Sequence, residues 1–226
     1  MNKPMQNIFS LPKGMLLFLV IYALSYPVLL VEHYAFHSAV IQSWVGLSPA
    51  LVWQGQLWRM VSYEFFAGGA IAWVVNLFWL VTLVLILARN WSGLNFWIFC
   101  ALTAFAGAVP IVLAFPRLDV PLLSAGAVVF GLLAGWARLY GRERLIMIGI
   151  GEMSVRQGAF AVAIINAVIV FFCMLPCGGL WVAFVGTLSL FCGGIAGWAY
   201  LAIGDKRVMS RGAQIAESER IARLEL

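Results

Sequence analysis

The chain has 226 residues, of which 64 % are hydrophobic and 10 % charged, with a formal net charge of +5. Soluble domains sit near ~45–50 % apolar and ~25 % charged, so a soluble fold would have no way to cover this much apolar surface. The composition implies a polytopic membrane protein and leaves the positive charge to be explained by topology; no nucleic-acid partner is expected.

A membrane-crossing helix needs about 20 apolar residues. Six stretches qualify: Met15–Val31, Ala70–Ala88, Leu94–Phe115, Val120–Leu139, Gly158–Leu175 and Leu180–Ile203. Helices are expected throughout, because a lipid-exposed strand would leave backbone groups unpaired. The first stretch follows a short segment, residues 1–14, and carries Pro27, which predicts a kink. Lys3 and Lys13 suit the basic start of a signal peptide. The apolar run is longer than a signal core, however, and no A-x-A site follows it, so an uncleaved first helix is expected.

Next comes a long first loop, residues 32–69, rich in aromatics: Tyr34, Phe36, Trp44, Trp53, Trp58, Tyr63, Phe65 and Phe66. Trp and Tyr favour the headgroup level, which predicts short helices partly sunk in the outer leaflet. Ser48-Pro49 is a good helix start. Arg59 is costly to leave unpaired beside lipid and is expected to donate to loop carbonyls, to Glu64 or to Glu32. His33 and His37 would share one face of a helix. With Glu32 or Glu64 they could approach a metal site, but zinc wants a third and usually a fourth ligand. They read instead as interfacial side chains, and no metal or other cofactor is expected.

Inside the spans the polar groups are Asn76, Thr82, Thr103, Asn166, Thr187 and Ser189. No acidic residue is expected in a span interior, which disfavours ion translocation. Asn76 and Asn166 are expected to bond between helices. Cys100, Cys173 and Cys192 read as small apolar fillers. Cys177, in the turn PCGG, is four residues from Cys173, but a redox pair is disfavoured. In the fourth span Ala127, Gly131 and Gly135 recur every four residues, and in the sixth Ser189, Gly193 and Gly197 do the same. Such small-residue ridges let two backbones approach closely, so these spans are expected to cross in contact.

The connection from Gly141 to Gln157 has room for a short interfacial segment. The tail, residues 204–226, is polar and reads as a solvated helix with a Glu219–Arg223 pair, its arginines able to meet anionic lipid. Of the 14 lysines and arginines, only Arg59 and Arg117 fall on the side opposite the termini. The positive-inside bias then puts both termini in the cytoplasm, and the brevity of the chain suits a bacterial inner membrane.

The stretch GQLWRMVSYEFF (Gly55 to Phe66) resembles the first-loop motif of rhomboid intramembrane proteases, with Gly55-Gln56 and Trp58-Arg59 followed by tyrosine and phenylalanine. Asn76 matches the asparagine of the rhomboid second span. AGAVVFGLLAGWARL (Ala125 to Leu139) resembles the fourth span, and LFCGGIAGWAYL (Leu190 to Leu201) the sixth. The resemblance covers roughly residues 15–203. It implies an all-α, six-transmembrane-helix rhomboid-like bundle with a membrane-embedded first loop.

It also implies a serine on the fourth span, a histidine on the sixth, and an oxyanion site helped by the second span. Matched residue by residue, those positions hold Gly126, Phe191 and Ala72, and only Asn76 is retained. Ser124 is the one weak substitute. Two residues along a helix turn a side chain by about 200°, to the opposite face. No base accompanies it: both histidines precede the second span, and Lys3, Lys13 and Lys206 lie on the cytoplasmic side. The expectation is a pseudoprotease. Its relatives without catalytic residues, the inactive rhomboids and derlins, bind membrane clients. The implied partners are transmembrane helices of a client or of a membrane complex, docked beside the second and fifth spans. The alternatives are an intramembrane serine endopeptidase with a non-standard site, and a cofactor-binding or transport subunit.

Overall fold

In the computed structural model, residues 11–88, 91, 93–147 and 151–224 are described. They are mostly helical. Helix α1 (Lys13–Phe36) is followed by three short helices, α2 (Val40–Val45), α3 (Pro49–Trp53) and α4 (Arg59–Ser62), and by a 3-10 turn at Tyr63–Phe65. Helices α5 (Ala70–Leu87), α6 (Gly93–Ala114) and α7 (Gly126–Leu139) come next. A small hairpin, β1 (Arg144–Met147) and β2 (Gly151–Ser154), leads to a last helical run, Val155–Leu224. That run breaks at Gly178 and Gly179, where Gly179 takes φ 72°, a left-handed conformation suited to glycine. Its apolar halves are α8 (Val155–Pro176) and α9 (Gly178–Ile203).

Among the described residues, α1, α5, α6, α8 and α9 are long and apolar enough to cross a membrane. These helices are consistent with an integral membrane protein. The interior lies between α1, α5, α6 and α7, around Phe18, Tyr22, Leu80, Leu83, Phe96, Phe99, Leu132 and Leu133. Phe18 meets Phe96 edge-on at 5.3 Å between ring centres.

Several expectations need correction. Helix α1 runs to Phe36 rather than ending near Val31, with Pro27 inside it. Glu32, His33, Tyr34 and Phe36 therefore belong to a helix, and the loop begins at His37. That residue ends the helix in the left-handed region at φ 48°, a position histidine reaches more readily than most side chains. The fourth stretch becomes helical only at Gly126. Val120 precedes Pro121, which disfavours helix there, and Leu122 instead exchanges both backbone hydrogen bonds with Leu47, at 2.9 and 3.0 Å. The result is a 14-residue helix, roughly 21 Å long, held inside the bundle.

The fold is not purely α. The connection after α7 is an antiparallel hairpin in which Leu145 faces Met153 and Ile146 faces Glu152. The side chains of Cys177, Glu219 and Arg223 lie outside the described residues, as does most of the segment before α1.

The two small-residue ridges meet. A Cβ added to Gly193 would stand 2.7 Å from the Cβ of Ala127, and one added to Gly197 would stand 2.8 Å from the Cα of Gly131. Gly135 continues the line against Leu201. Ser189 completes the ridge but looks to a third helix, its hydroxyl donating to the Gly107 carbonyl on α6 at 2.6 Å. So α6, α7 and α9 close on one another at Gly107, Ala127 and Gly193, where the absence of side chains permits backbone approach.

Candidate functional site

Some of the residues singled out in the sequence, Ser124, Gly126 and Ala127, lie at the head of α7, beneath the first loop. The first loop is clamped there by Arg59, which is 4 % exposed. Its Nη1 donates to the carbonyls of Ser43 (2.5 Å) and Gly46 (2.8 Å), and its Nε to Oε1 of Gln56 (2.6 Å). Gly55 supplies the turn before it with φ 100°. The Trp58 indole donates to the Trp44 carbonyl at 3.4 Å. The motif Gly55-Gln56-x-Trp58-Arg59 is thus a brace that ties α4 to the end of α2. Arg59 pairs with neither Glu64 nor Glu32.

Both glutamates have other work. Ala125, the residue before α7, has no side chain able to cap a helix. The cap comes from far back in the chain. Glu64 Oε1 accepts the amide of Ala127 at 3.2 Å, and Oε2 the amide of Val128 at 3.1 Å. The carboxylate also meets the positive end of the helix dipole. Glu64 is 1 % exposed. Burial pushes its carboxyl up to about 7, while the amides of Val128 and Ala127 hold it down. Glu32, inside α1, accepts the Ile41 amide at 2.8 Å and the Ser38 hydroxyl at 3.3 Å. Glu32, expected in the loop, is instead buried near the end of α1, one residue beyond the expected span.

Around Glu64 the remaining positions are closed. Tyr63 is fully buried and donates to the Ala104 carbonyl at 3.1 Å. The Ser124 amide donates to the Tyr63 carbonyl at 3.2 Å, and Ser124 Oγ accepts the Gly126 amide at 3.1 Å. Ser124 precedes α7 rather than lying on it, and its hydroxyl serves as a cap. A Cβ at Gly126 would run into Leu190 on α9. Ser48 precedes Pro49 at the start of α3 as expected from its type, yet its hydroxyl goes to Asp119 Oδ1 at 2.9 Å instead of capping α3.

The other candidates are dispersed. Phe191 is exposed on α9 with its ring edge-on to Phe130 at 5.8 Å. Ala72 is exposed on α5. Asn76, one turn further, is half-buried beside Tyr22 of α1, whose buried hydroxyl lacks a hydrogen-bond partner. Asn166 donates within its own helix to Val162, at 2.8 Å, and so does not bond across helices. His33 and His37 are both exposed at the end of α1. Among the described residues no group of three or more His, Cys, Asp or Glu could hold a metal ion.

A second feature is a cavity of about 220 Å³ between α7, α8 and α9, with Leu133, Ala137, Phe160, Phe191 and Trp198 in its lining. It is almost wholly apolar and carries no group for chemistry. Arg138 and Arg156 stack over the Trp198 ring at its edge, at 5.2 and 5.7 Å.

Sequence reasoning missed the cap made by Glu64. The signal was there: a lone carboxylate in VSYEFF, flanked by residues that belong inside a bundle, has to be neutralised or hydrogen-bonded. Compared with protein-family models, with curated proteins and with solved structures, the chain matches nothing.

Proposed function

We propose that this chain is a rhomboid-like membrane protein without proteolytic chemistry, and that it recognises a transmembrane helix of a client or complex partner. The observation that carries this reading is the occupied head of α7. A serine protease of the rhomboid type needs a nucleophile and free amide donors for an oxyanion at that helix start. Here the nucleophile position is Gly126, packed on Leu190. The amides of Ala127 and Val128 are taken by Glu64, and the amide of Gly126 by Ser124. A developing oxyanion would meet a carboxylate. Neither histidine is on α9, so Ser124 lacks a base.

Binding is supported by the periphery. Helices α5 and α8 are the least buried of the five long helices, at 22 % and 17 %, against 44 % for α6. Ile71, Val74 and Phe78 on α5 and Ile165 and Phe172 on α8 face outward. A partner helix docking beside α5 or α8 gains apolar packing there without disturbing the core. In this reading α7 is a sixth, short span, both termini are cytoplasmic, and the membrane is a bacterial inner membrane.

The test uses the full chain in its native membrane, with photoreactive groups at Ile71, Phe78, Ile165 and Phe172 in turn. The expected result is adducts that map to an apolar helical segment of a defined membrane protein. Adducts to lipid alone at all four positions overturn the binding reading. Cleavage of a transmembrane reporter, abolished by Ser124→Ala, overturns the non-catalytic one.

A further inference from the structure

Helix α1 has 24 residues, roughly 36 Å of helix, more than the ~30 Å hydrocarbon core. With the core spanned by its earlier turns, the last turns reach the headgroup level. There, between α1 and the start of α2, lies a groove of about 390 Å³. Pro27, Val28 and Val31 give it an apolar wall, and Phe36 an aromatic rim. Glu32 also lines it, although the residue is only 6 % exposed.

The carboxylate of Glu32 accepts hydrogen bonds through Oε1, from Ile41 and Ser38. Neither donor is charged. Among the described residues no ion pair to Glu32 is present. A buried carboxylate without a cation is costly, and the groove that Glu32 lines also holds apolar side chains and the Phe36 ring. Both features suit one class of ligand. An ammonium group neutralises the carboxylate and rests on the ring face, while an attached hydrocarbon chain lies along the apolar wall. The exposed imidazoles of His33 and His37 adjoin lining residues in sequence and offer donors for an anionic group beside the ammonium.

We infer that the Glu32 groove is a binding site for a phospholipid with a primary ammonium headgroup, namely phosphatidylethanolamine. The ammonium donates to Glu32, and an acyl chain follows Val31, Val28 and Pro27. A quaternary choline headgroup lacks the N–H donors, and a glycerol headgroup lacks the positive charge. The site therefore discriminates by hydrogen bonding to a charged acceptor, an interaction strong enough for about tenfold selectivity.

Native mass spectrometry of the full chain, equilibrated with equal amounts of phosphatidylethanolamine, phosphatidylcholine and phosphatidylglycerol, reads this directly. Retention of phosphatidylethanolamine about tenfold above the other two is expected. In Glu32→Gln the preference should vanish. Because Glu32 also holds Ile41 and Ser38, a second variant leaves those bonds intact: Val28→Trp, at a position 43 % exposed, fills the groove and should remove the retained lipid. Equal retention of the three lipids by the wild type overturns the assignment. So does a preference that survives Val28→Trp, or a protein rather than a lipid held at the groove.

Discussion

At the head of α7 the polar groups are paired and the backbones touch, whereas α8 turns Phe160, Ile164, Ile165, Val168, Ile169 and Phe172 outward and shares only a small buried cluster of Phe130, Ala167 and Leu190. The first region joins four parts of the chain. Glu64 and Tyr63 come from the first loop, Gly107 from α6, Ala127 from α7, and Ser189 and Gly193 from α9. The second has little to hold it apart from the Ala159 and Ala163 side of the helix against α7. In a bilayer that difference is allowed, because lipid tails are as apolar as leucine and exposure costs α8 nothing. The head of α7 has no such freedom. Its amides have no water to turn to, and each must find a partner inside the protein.

The largest effect is expected where backbones meet. Gly193→Leu places a side chain against the Ala127 carbonyl, with the first added carbon at 2.5 Å. Overpacking costs about 1–3 kcal/mol where side chains can yield, and backbone yields less, so loss of the folded protein from detergent extracts is expected. Size-exclusion profiles of Gly193→Ala and Gly193→Leu should show a graded loss. Glu64→Ala follows. It strands two buried amides at about 1–3 kcal/mol each, so about 2–6 kcal/mol should be lost in thermal melts at pH 6, where the wild-type carboxyl is largely protonated.

The pH dependence of the same group sharpens the comparison. A carboxyl at about 7 in the fold, against an ordinary value of 4.5, binds its proton more tightly folded than unfolded. The folded state therefore carries more protons between those values, and stability falls as pH rises from 4.5 to 7, then levels off. The expected loss is roughly 3 kcal/mol. Melting curves of the wild type and Glu64→Gln, measured across this range, should differ in slope, with the variant flatter. Equal slopes would remove Glu64 from the account.

Arg59→Lys is a smaller perturbation. The ammonium keeps the charge but cannot span the Ser43 and Gly46 carbonyls and Gln56 together. A loss of about 1–2 kcal/mol is expected, with hydrogen exchange rising in α2 and α4 and unchanged in α9.

How much of this could be read in advance differs between the same two regions. The long apolar helices were legible because hydropathy alone demands them, and the ridge of Gly193 and Gly197 because small residues at fourfold spacing have few other uses. The clamp of Arg59 was legible as a need, carbonyl partners for a costly charge, but not as a choice among partners. The cap on α7 was not legible. Glu64 and Val128 are 64 residues apart, and the bonds that bring the loop over the helix start, Leu47 with Leu122, Ser48 with Asp119 and Ser124 with Tyr63, are all long-range. The pairing of Leu47 with Leu122 also shortened α7 against expectation: hydropathy sees Val120–Ala125 as apolar and cannot see that its backbone bonds are spent on the first loop. Glu32 was not legible as a helical residue because hydropathy ends the first span at Val31, one residue before it, while the backbone stays helical to Phe36.

The smallest effect on stability is expected at α8, and it bears most directly on function. Phe172 is 63 % exposed. Phe172→Ala removes contacts with lipid rather than with protein, so a change within about 0.5 kcal/mol is expected, as for substitutions away from packed or paired groups. If the outward face of α8 exists to receive a partner helix, the same variant should weaken crosslinking from Ile165 while the melting curve stays put. A face meant only for lipid gives a different pattern: stability and crosslinking both unchanged. Loss of both together would mean that α8 is packed more firmly than its burial implies, and the contrast between the two ends of the molecule would have to be redrawn. Ile71→Ala on α5, also directed outward, separates the two docking faces, since a partner held at α8 alone leaves its adducts untouched.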